Sequence, residues 1–377
     1  MSQRVVVLGA GFGGLELTTV MSEALGANAD ITLIDKSDAF VFGYSKFDIM
    51  FGKRTPEAAR LPYAKFAKPG VRLLRETITA IDPVRKVVTT NAGVHEADTL
   101  VLALGADYDW AAVPGITAGV NEFYSVPGAE AMRDILPGFR KGHAVIGVCD
   151  APFKCPPAPS ECPLLLDEYL ERRGVRQDCT ITLVLPLGSP IPPSPATSQA
   201  ILAEFGRKHI RFIPGTCVTA VDTAKKTVTL DHGDSLPYDL FLGVPKHHAP
   251  AVVRKSGLAD GDWVPVNPKT LETKFRGVYA VGDIANQGTP KAGVFAERAA
   301  KAVAETLVAQ IRNAGVPGVH SGTGSCYIEF GGDRVARVDV DFFSAKSPTG
   351  TFQEATTARR AEKDLFGSSR RSRWFGG

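Results

Sequence analysis

The chain has no apolar run near the ~18 residues of a membrane-spanning helix, no C-x-x-C-H stretch for covalent haem, and no strong charge of either sign. Its formal net charge of +3 over 377 residues is too small to mark a nucleic-acid surface. A haem attached to the chain is therefore excluded, and any cytochrome partner has to be a separate protein. Six cysteines are too few for a disulfide-stapled scaffold of this size. No spacing suited to a metal ion stands out either. The first apolar strand begins close to Met1 with no leader pattern before it, so a cytoplasmic location is expected. An apolar content of 44% is that of a globular chain with room for two or three domains.

What is present is a dinucleotide fingerprint and a ruined copy of it. VVVLGAGFGG sets Gly9, Gly11 and Gly14 in G-x-G-x-x-G spacing after an apolar strand, where helix-start amides can close on a pyrophosphate. Asp35, at the end of ITLID, is placed for a ribose hydroxyl. The unit recurs as AVIGVCDAPFK, with Cys149, Ala151 and Lys154 at the three glycine positions, and ITLVL puts Leu185 where the aspartate stood. TAID at Thr79–Asp82 returns as TAVD at Thr219–Asp222, and LVLALG from Leu100 returns as LFLGVP from Leu240, at one shared offset. One α/β unit binds a dinucleotide on this reading, and its repeat does not.

A third block, GVYAVGD, closes a strand on Gly282 and Asp283, after which Pro290 and Lys291 lead into a long alanine-rich helix. A fourth, APFKCPPAPSECPLLLDEYLERRG, stiffens the chain after Cys155 with Pro156, Pro157 and Pro159. Ser160, Glu161 and Pro163 then open an amphipathic helix that Gly174 ends. Cys155 before a helix start, beside Lys154, is expected to lean toward thiolate. Cys179 and Cys217 read as packing residues; Cys149 and Cys162 read as small buried side chains, with a persulfide relay as the other option. His247 and His248 read as loop residues at a surface or between domains.

Together these blocks resemble the two-dinucleotide-binding-domain flavoproteins, and C-P-P-x-P-x-E resembles the active-site stretch of flavocytochrome c sulfide dehydrogenases and sulfide:quinone oxidoreductases. The resemblance runs from the glycine loop to SCYIEF. It implies non-covalent FAD, since DAFVFGYSKFDIM lacks the tethering cysteine of the flavocytochromes. It implies Asp283 on the ribityl chain and cofactor contacts at Gly9, Gly11, Gly14, Asp35, Ile78, Gly105, Gly282, Lys291 and Gly293. It also implies catalytic roles for Cys155, Cys326 and Glu161: the two cysteines as a redox pair with Cys326 facing the flavin, the glutamate as a base. The third redox cysteine of many quinone reductases is missing between Asp107 and Ala144.

The fold implied is α/β, two Rossmann-like dinucleotide-binding-type domains in a glutathione-reductase-like arrangement plus a C-terminal α+β segment. An FAD domain is expected from 1–112 and 246–312, a second domain carrying Cys155 from 113–245, and a hairpin and tail carrying Cys326 from 313–377. The function implied is FAD-dependent sulfide oxidation, hydrosulfide being the substrate and a quinone or another acceptor taking the electrons. An NAD(P)H-dependent disulfide or quinone reductase and a flavin redox sensor without turnover stay open, as does a homodimer. The tail ARRAEKDLFGSSRRSRWFGG interleaves basic residues with Leu365, Phe366, Trp374 and Phe375, a composition suited to peripheral contact with an anionic membrane.

Overall fold

The structure, a computed structural model, describes residues 3–117 and 122–376. Arg4–Leu8, Asp30–Asp35, Val71–Arg75, Thr99–Leu102 and Val278–Ala280 form a parallel sheet with Arg4–Leu8 central, between Asp30–Asp35 and Thr99–Leu102. Thr99–Leu102 is buried at every residue, and in Arg4–Leu8 only Arg4 is exposed, as expected of strands covered on both faces. The helix Phe12–Leu25 packs along the alanine-rich helix Gly293–Arg312.

The duplication is visible in the second sheet. Gly142–Val148 lies between Cys179–Leu185 and Leu240–Val244, with Ile210–Pro214 at the edge, the order of the first sheet without its last strand. Each unit also carries a three-stranded antiparallel sheet. Its register slips between Ile78 and Ala80 in one copy and between Val218 and Ala220 in the other, and Lys86 and Lys226 turn with the same φ of 53°. Asp107–Asp109 and Lys246–His248, where the chain passes from one sheet system to the other and back, pair antiparallel. His247 and His248 are therefore strand residues and both are buried, not the loop residues expected; the rings of Tyr108 and Tyr124 pack edge-on against His247.

The C-terminal segment departs further from expectation. Thr323–Gly331 and Arg334–Asp341 form the anticipated hairpin about Gly332 and Asp333, but Thr349–Thr356 adds a third strand. Ala358–Phe375 is then one helix. Trp374 is fully buried, its Nε1–H donating to Glu16 at 2.8 Å amid Phe12, Phe40 and Phe42. Phe375 packs against Tyr63 and Phe66. Arg373 bridges Glu16 and Glu23, and Arg370 makes a two-bond contact with Glu297. Trp374 and Phe375, assigned to a membrane surface, are thus core residues, while Phe366 is only partly buried; Arg370 and Arg373 answer acids on the protein's own helices, and Arg360 and Lys363 answer acids of the hairpin. Among the described residues no helix is long and apolar enough to cross a membrane.

Candidate active site

A cavity of about 310 Å3 opens at the C-terminal ends of the first sheet's strands, between that sheet, the Cys155 segment and the hairpin. The glycine turn forms one wall. A Cβ on Gly14 would lie 1.9 Å from the Gly9 carbonyl oxygen, and one on Gly9, at φ +100°, 2.5 Å from that of Ala103, whereas Gly11 faces open space. Asp35 accepts from the Ala10 and Ser37 amides, both at 2.7 Å, and so clasps the turn. Gly11, Gly105, Gly282, Asp283, Lys291 and Gly293 line the cavity; Gly9 and Gly14 shape the turn behind it, and Asp35 and Ile78 lie outside its lining.

The cradle suits a flavin dinucleotide. Asp283 Oδ1 is buried with no donor to satisfy it, a vacancy that a hydroxyl-rich chain would fill. Burial pushes the Asp283 carboxyl up, against Lys154, Lys291 and Lys46. The first turn of Gly293–Arg312 borders the cavity with its N-terminal, positive end. Lys291 is buried, donates to the Asp283 carbonyl at 2.6 Å and lies 3.3 Å from the centre of the Trp263 ring; burial lowers its pKa to about 8, against the pull of Asp283. It braces the Asp283 loop. The residues of this cradle fit FAD.

Cys155, Cys326 and Glu161 line the same cavity. Cys155 adopts φ 53°, its amide donates to the Lys291 carbonyl at 2.7 Å, and its own carbonyl receives the Ala158 amide at the start of the helix Ala158–Arg172. The cysteine loop is thereby pinned to the cofactor loop. All six cysteines are free thiols. Burial raises the Cys155 pKa, Glu161 and Cys326 add to it, and Lys46 opposes. Cys326 is pushed up to about 12 by burial, with Glu161 and Asp339 contributing. The expected thiolate bias at Cys155 is therefore not found: losing water outweighs the helix start. Lys154 donates to the Ala106 carbonyl and sits over the Tyr108 ring.

Glu161 is 5% exposed, and its Oε1 accepts from the Glu329 amide at 2.8 Å, tying helix to hairpin. Burial raises its carboxyl to about 7, against Lys363 and that amide and with the Glu329 carboxylate adding. Glu329 is itself held by Lys363 and Arg360. A carboxyl half-charged near neutrality beside two thiols can take or return a proton.

Several lining residues were not assigned to the site from the sequence. Lys46, Tyr124, Tyr44, Tyr327, Lys363 and Phe366 all border the cavity, the last two from the tail helix. The Tyr124 hydroxyl and His247 Nε2 are buried without partners. Cys149, Cys162 and Cys179 are buried, and burial raises each thiol; Cys217, expected to be packed away, is partly exposed. None of these four lines the cavity. Cys326 alone also borders a second, smaller pocket of about 50 Å3.

Residues 3–148 match the family model described as pyridine nucleotide-disulphide oxidoreductase. The mitochondrial sulfide:quinone oxidoreductase of Mus musculus is 24% identical, covering 93% of this chain and 81% of that protein. The sulfide-quinone reductase of Aquifex aeolicus is 25% identical over 83% of this chain and 78% of its own. The crystal structure of the sulfide:quinone oxidoreductase from that bacterium superposes with a TM-score of 0.86 at 21% identity, covering all of this chain and 93% of the other. The resemblance drawn from the sequence is borne out at the level of the whole chain: this chain is an FAD-dependent oxidoreductase similar along nearly its whole length to the sulfide:quinone oxidoreductases.

Proposed function

We propose that the protein oxidises hydrosulfide to sulfane sulfur through Cys155 and Cys326 and passes the electrons by way of non-covalent FAD to a quinone. The observation that carries this reading is the convergence of two cysteines and a carboxyl raised by burial to about 7 on the cavity that the glycine turn and Asp283 also line. Bound FAD supplies a two-electron acceptor that a quinone can reoxidise. The chain supplies the rest. In the oxidised state Cys155 and Cys326 form a disulfide; hydrosulfide breaks that bond, forming a persulfide on one sulfur and leaving the other as thiolate with the released electron pair. Glu161 takes up and returns the proton of the incoming sulfur. Burial that disfavours both thiolates makes each of them a ready electron donor once formed.

Part of the cavity lining suits a flat acceptor. Tyr44, Tyr327 and Phe366 line the cavity with Lys363, and Arg370 lies 3.7 Å over the Phe366 ring. Against reduction by a nicotinamide stand Cys149, Ala151, Lys154 and Leu185 at the phosphate and ribose positions of the repeat. Cys155→Ser and Cys326→Ser should each abolish flavin reduction by sulfide while FAD stays bound. A variant keeping more than about a tenth of the wild-type rate, a loss under ~1.4 kcal/mol in barrier, removes that cysteine from the relay.

A further inference from the structure

Four lysines line the cofactor cavity, and three of them already have partners. Lys154 donates to the Ala106 carbonyl at 3.1 Å, Lys291 to the Asp283 carbonyl at 2.6 Å, and Lys363 pairs with Glu329. Among the described residues the ammonium of Lys46, on the short helix Ser45–Met50, has no hydrogen bond or ion pair. Burial disfavours its charge, and Lys154 adds to that; Tyr108, Cys155 and Glu122 oppose, and Asp283 also feels it. Glu122 is already engaged by the Tyr124 and Ser125 amides and the Ser125 hydroxyl. A second donor lines the same cavity. The Tyr124 hydroxyl is buried without an acceptor, in a residue 5% exposed. Burial holds that phenol protonated, and Cys155 is the strongest of its ionisable neighbours, ahead of Tyr108, Cys162 and Glu161. Its ring is fixed by the Tyr108 hydroxyl, which donates to the Tyr124 carbonyl at 2.8 Å, and by the edge-on ring of His247. A buried donor and a cation without an acid, both beside Cys155, describe a place for an anion. Cys326 offers no such place: the charged groups acting on it are the carboxyls of Glu161 and Asp339.

Resting on the sulfide-oxidising reading, we propose that Lys46 and Tyr124 form an anion subsite that holds hydrosulfide against Cys155 and keeps the same sulfur atom, once bonded, as a persulfide anion. From this subsite hydrosulfide attacks the Cys155 sulfur. A bond forms between those two sulfurs, the Cys155–Cys326 bond breaks, and Cys326 leaves with the electron pair as thiolate. The incoming sulfur is oxidised and Cys326 is reduced. The single proton of hydrosulfide passes to Glu161, and the terminal sulfur of the Cys155 persulfide, now negative, stays with the ammonium and the phenol. Neutral hydrogen sulfide would leave the ammonium uncompensated, so the subsite selects the ion.

Bromide, a single-atom anion that does not open disulfides, is the probe. Crystals of the oxidised, FAD-loaded enzyme soaked in sodium bromide should show an anomalous peak in contact with the Lys46 ammonium, the Tyr124 hydroxyl and the Cys155 sulfur. Lys46→Met should abolish that peak, keep the full complement of FAD, and raise the dissociation constant for sulfide, read from the concentration dependence of flavin bleaching, by at least about tenfold. Lys46→Arg, which keeps the charge, should recover most of that loss, and Tyr124→Phe should weaken sulfide binding by about fivefold. In the wild type, bromide should compete with sulfide without lowering the limiting bleaching rate. No peak in the wild type, a peak unchanged in Lys46→Met, loss of FAD from that variant, or an unchanged dissociation constant for sulfide overturns the proposal. The peak is read without sulfide, so the two failures separate: a peak without bleaching by sulfide sinks the sulfide-oxidising reading, and bleaching without a peak sinks the subsite.

Discussion

Glu161 illustrates how position sets the chemistry of a single side chain. In water its carboxyl is charged at neutral pH; here burial lifts it from 4.5 to about 7, so it changes charge where the enzyme operates. The same shift fixes a sign for stability. Between those two values the folded protein holds a proton that the unfolded chain has released, so stability fully present at acid pH is lost as pH rises through 7. A shift of that size corresponds to roughly 3 kcal/mol. Glu161→Gln keeps the acceptor oxygen for the Glu329 amide but stays neutral, so it should melt close to wild type at pH 5 and at higher temperature than wild type at pH 9. Its flavin reduction should fall about 100-fold and lose the inflection near pH 7 if the carboxyl moves the proton. Parallel melting curves at both pH values would show that its charge is not under strain in the fold.

Among elements, the helix Ala358–Phe375 has the largest consequence. Trp374 packs on Phe12, the residue after Gly11, so the chain's last turn supports its first functional loop. Trp374→Ala should destabilise the protein by about 3–5 kcal/mol and loosen FAD, read as a lower unfolding temperature and flavin lost on gel filtration. Deleting residues 368–377 should do the same, because it also removes the Arg370 and Arg373 contacts. A truncated protein that melts and holds flavin like the full chain would contradict this placement. The sequence made the glycine turn, the repeat and the hairpin legible, since each depends on local patterns: glycine spacing, apolar runs, a Gly-Asp turn. It did not reveal the tail's fold. Its basic and aromatic residues suit a lipid surface as well as they suit Glu16, Glu23 and Glu297, and only the tertiary fold brings those acids to meet it. Cys155, Cys326 and Glu161 stood in recognisable contexts, whereas Lys46, Tyr124 and His247 come to that region from separate elements with no motif of their own.

At the scale of the whole molecule, one α/β unit has kept its dinucleotide turn while its repeat has exchanged that turn for a proline-stiffened cysteine loop. The two parallel sheets share the order of four strands and the two antiparallel sheets share the same register slip, so the frame survived while the ligand chemistry changed. The loop that would have met a second nucleotide instead carries Cys155 to the cavity that the glycine turn lines. On this account sulfur, not a nicotinamide, delivers electrons. The decisive measurement is anaerobic stopped-flow bleaching of the bound flavin by sulfide, NADH and NADPH in parallel: rapid, stoichiometric bleaching by sulfide with only slow reduction by either nucleotide is the predicted result, and fast stoichiometric reduction by micromolar NADPH or NADH, with sulfide inert, would contradict it.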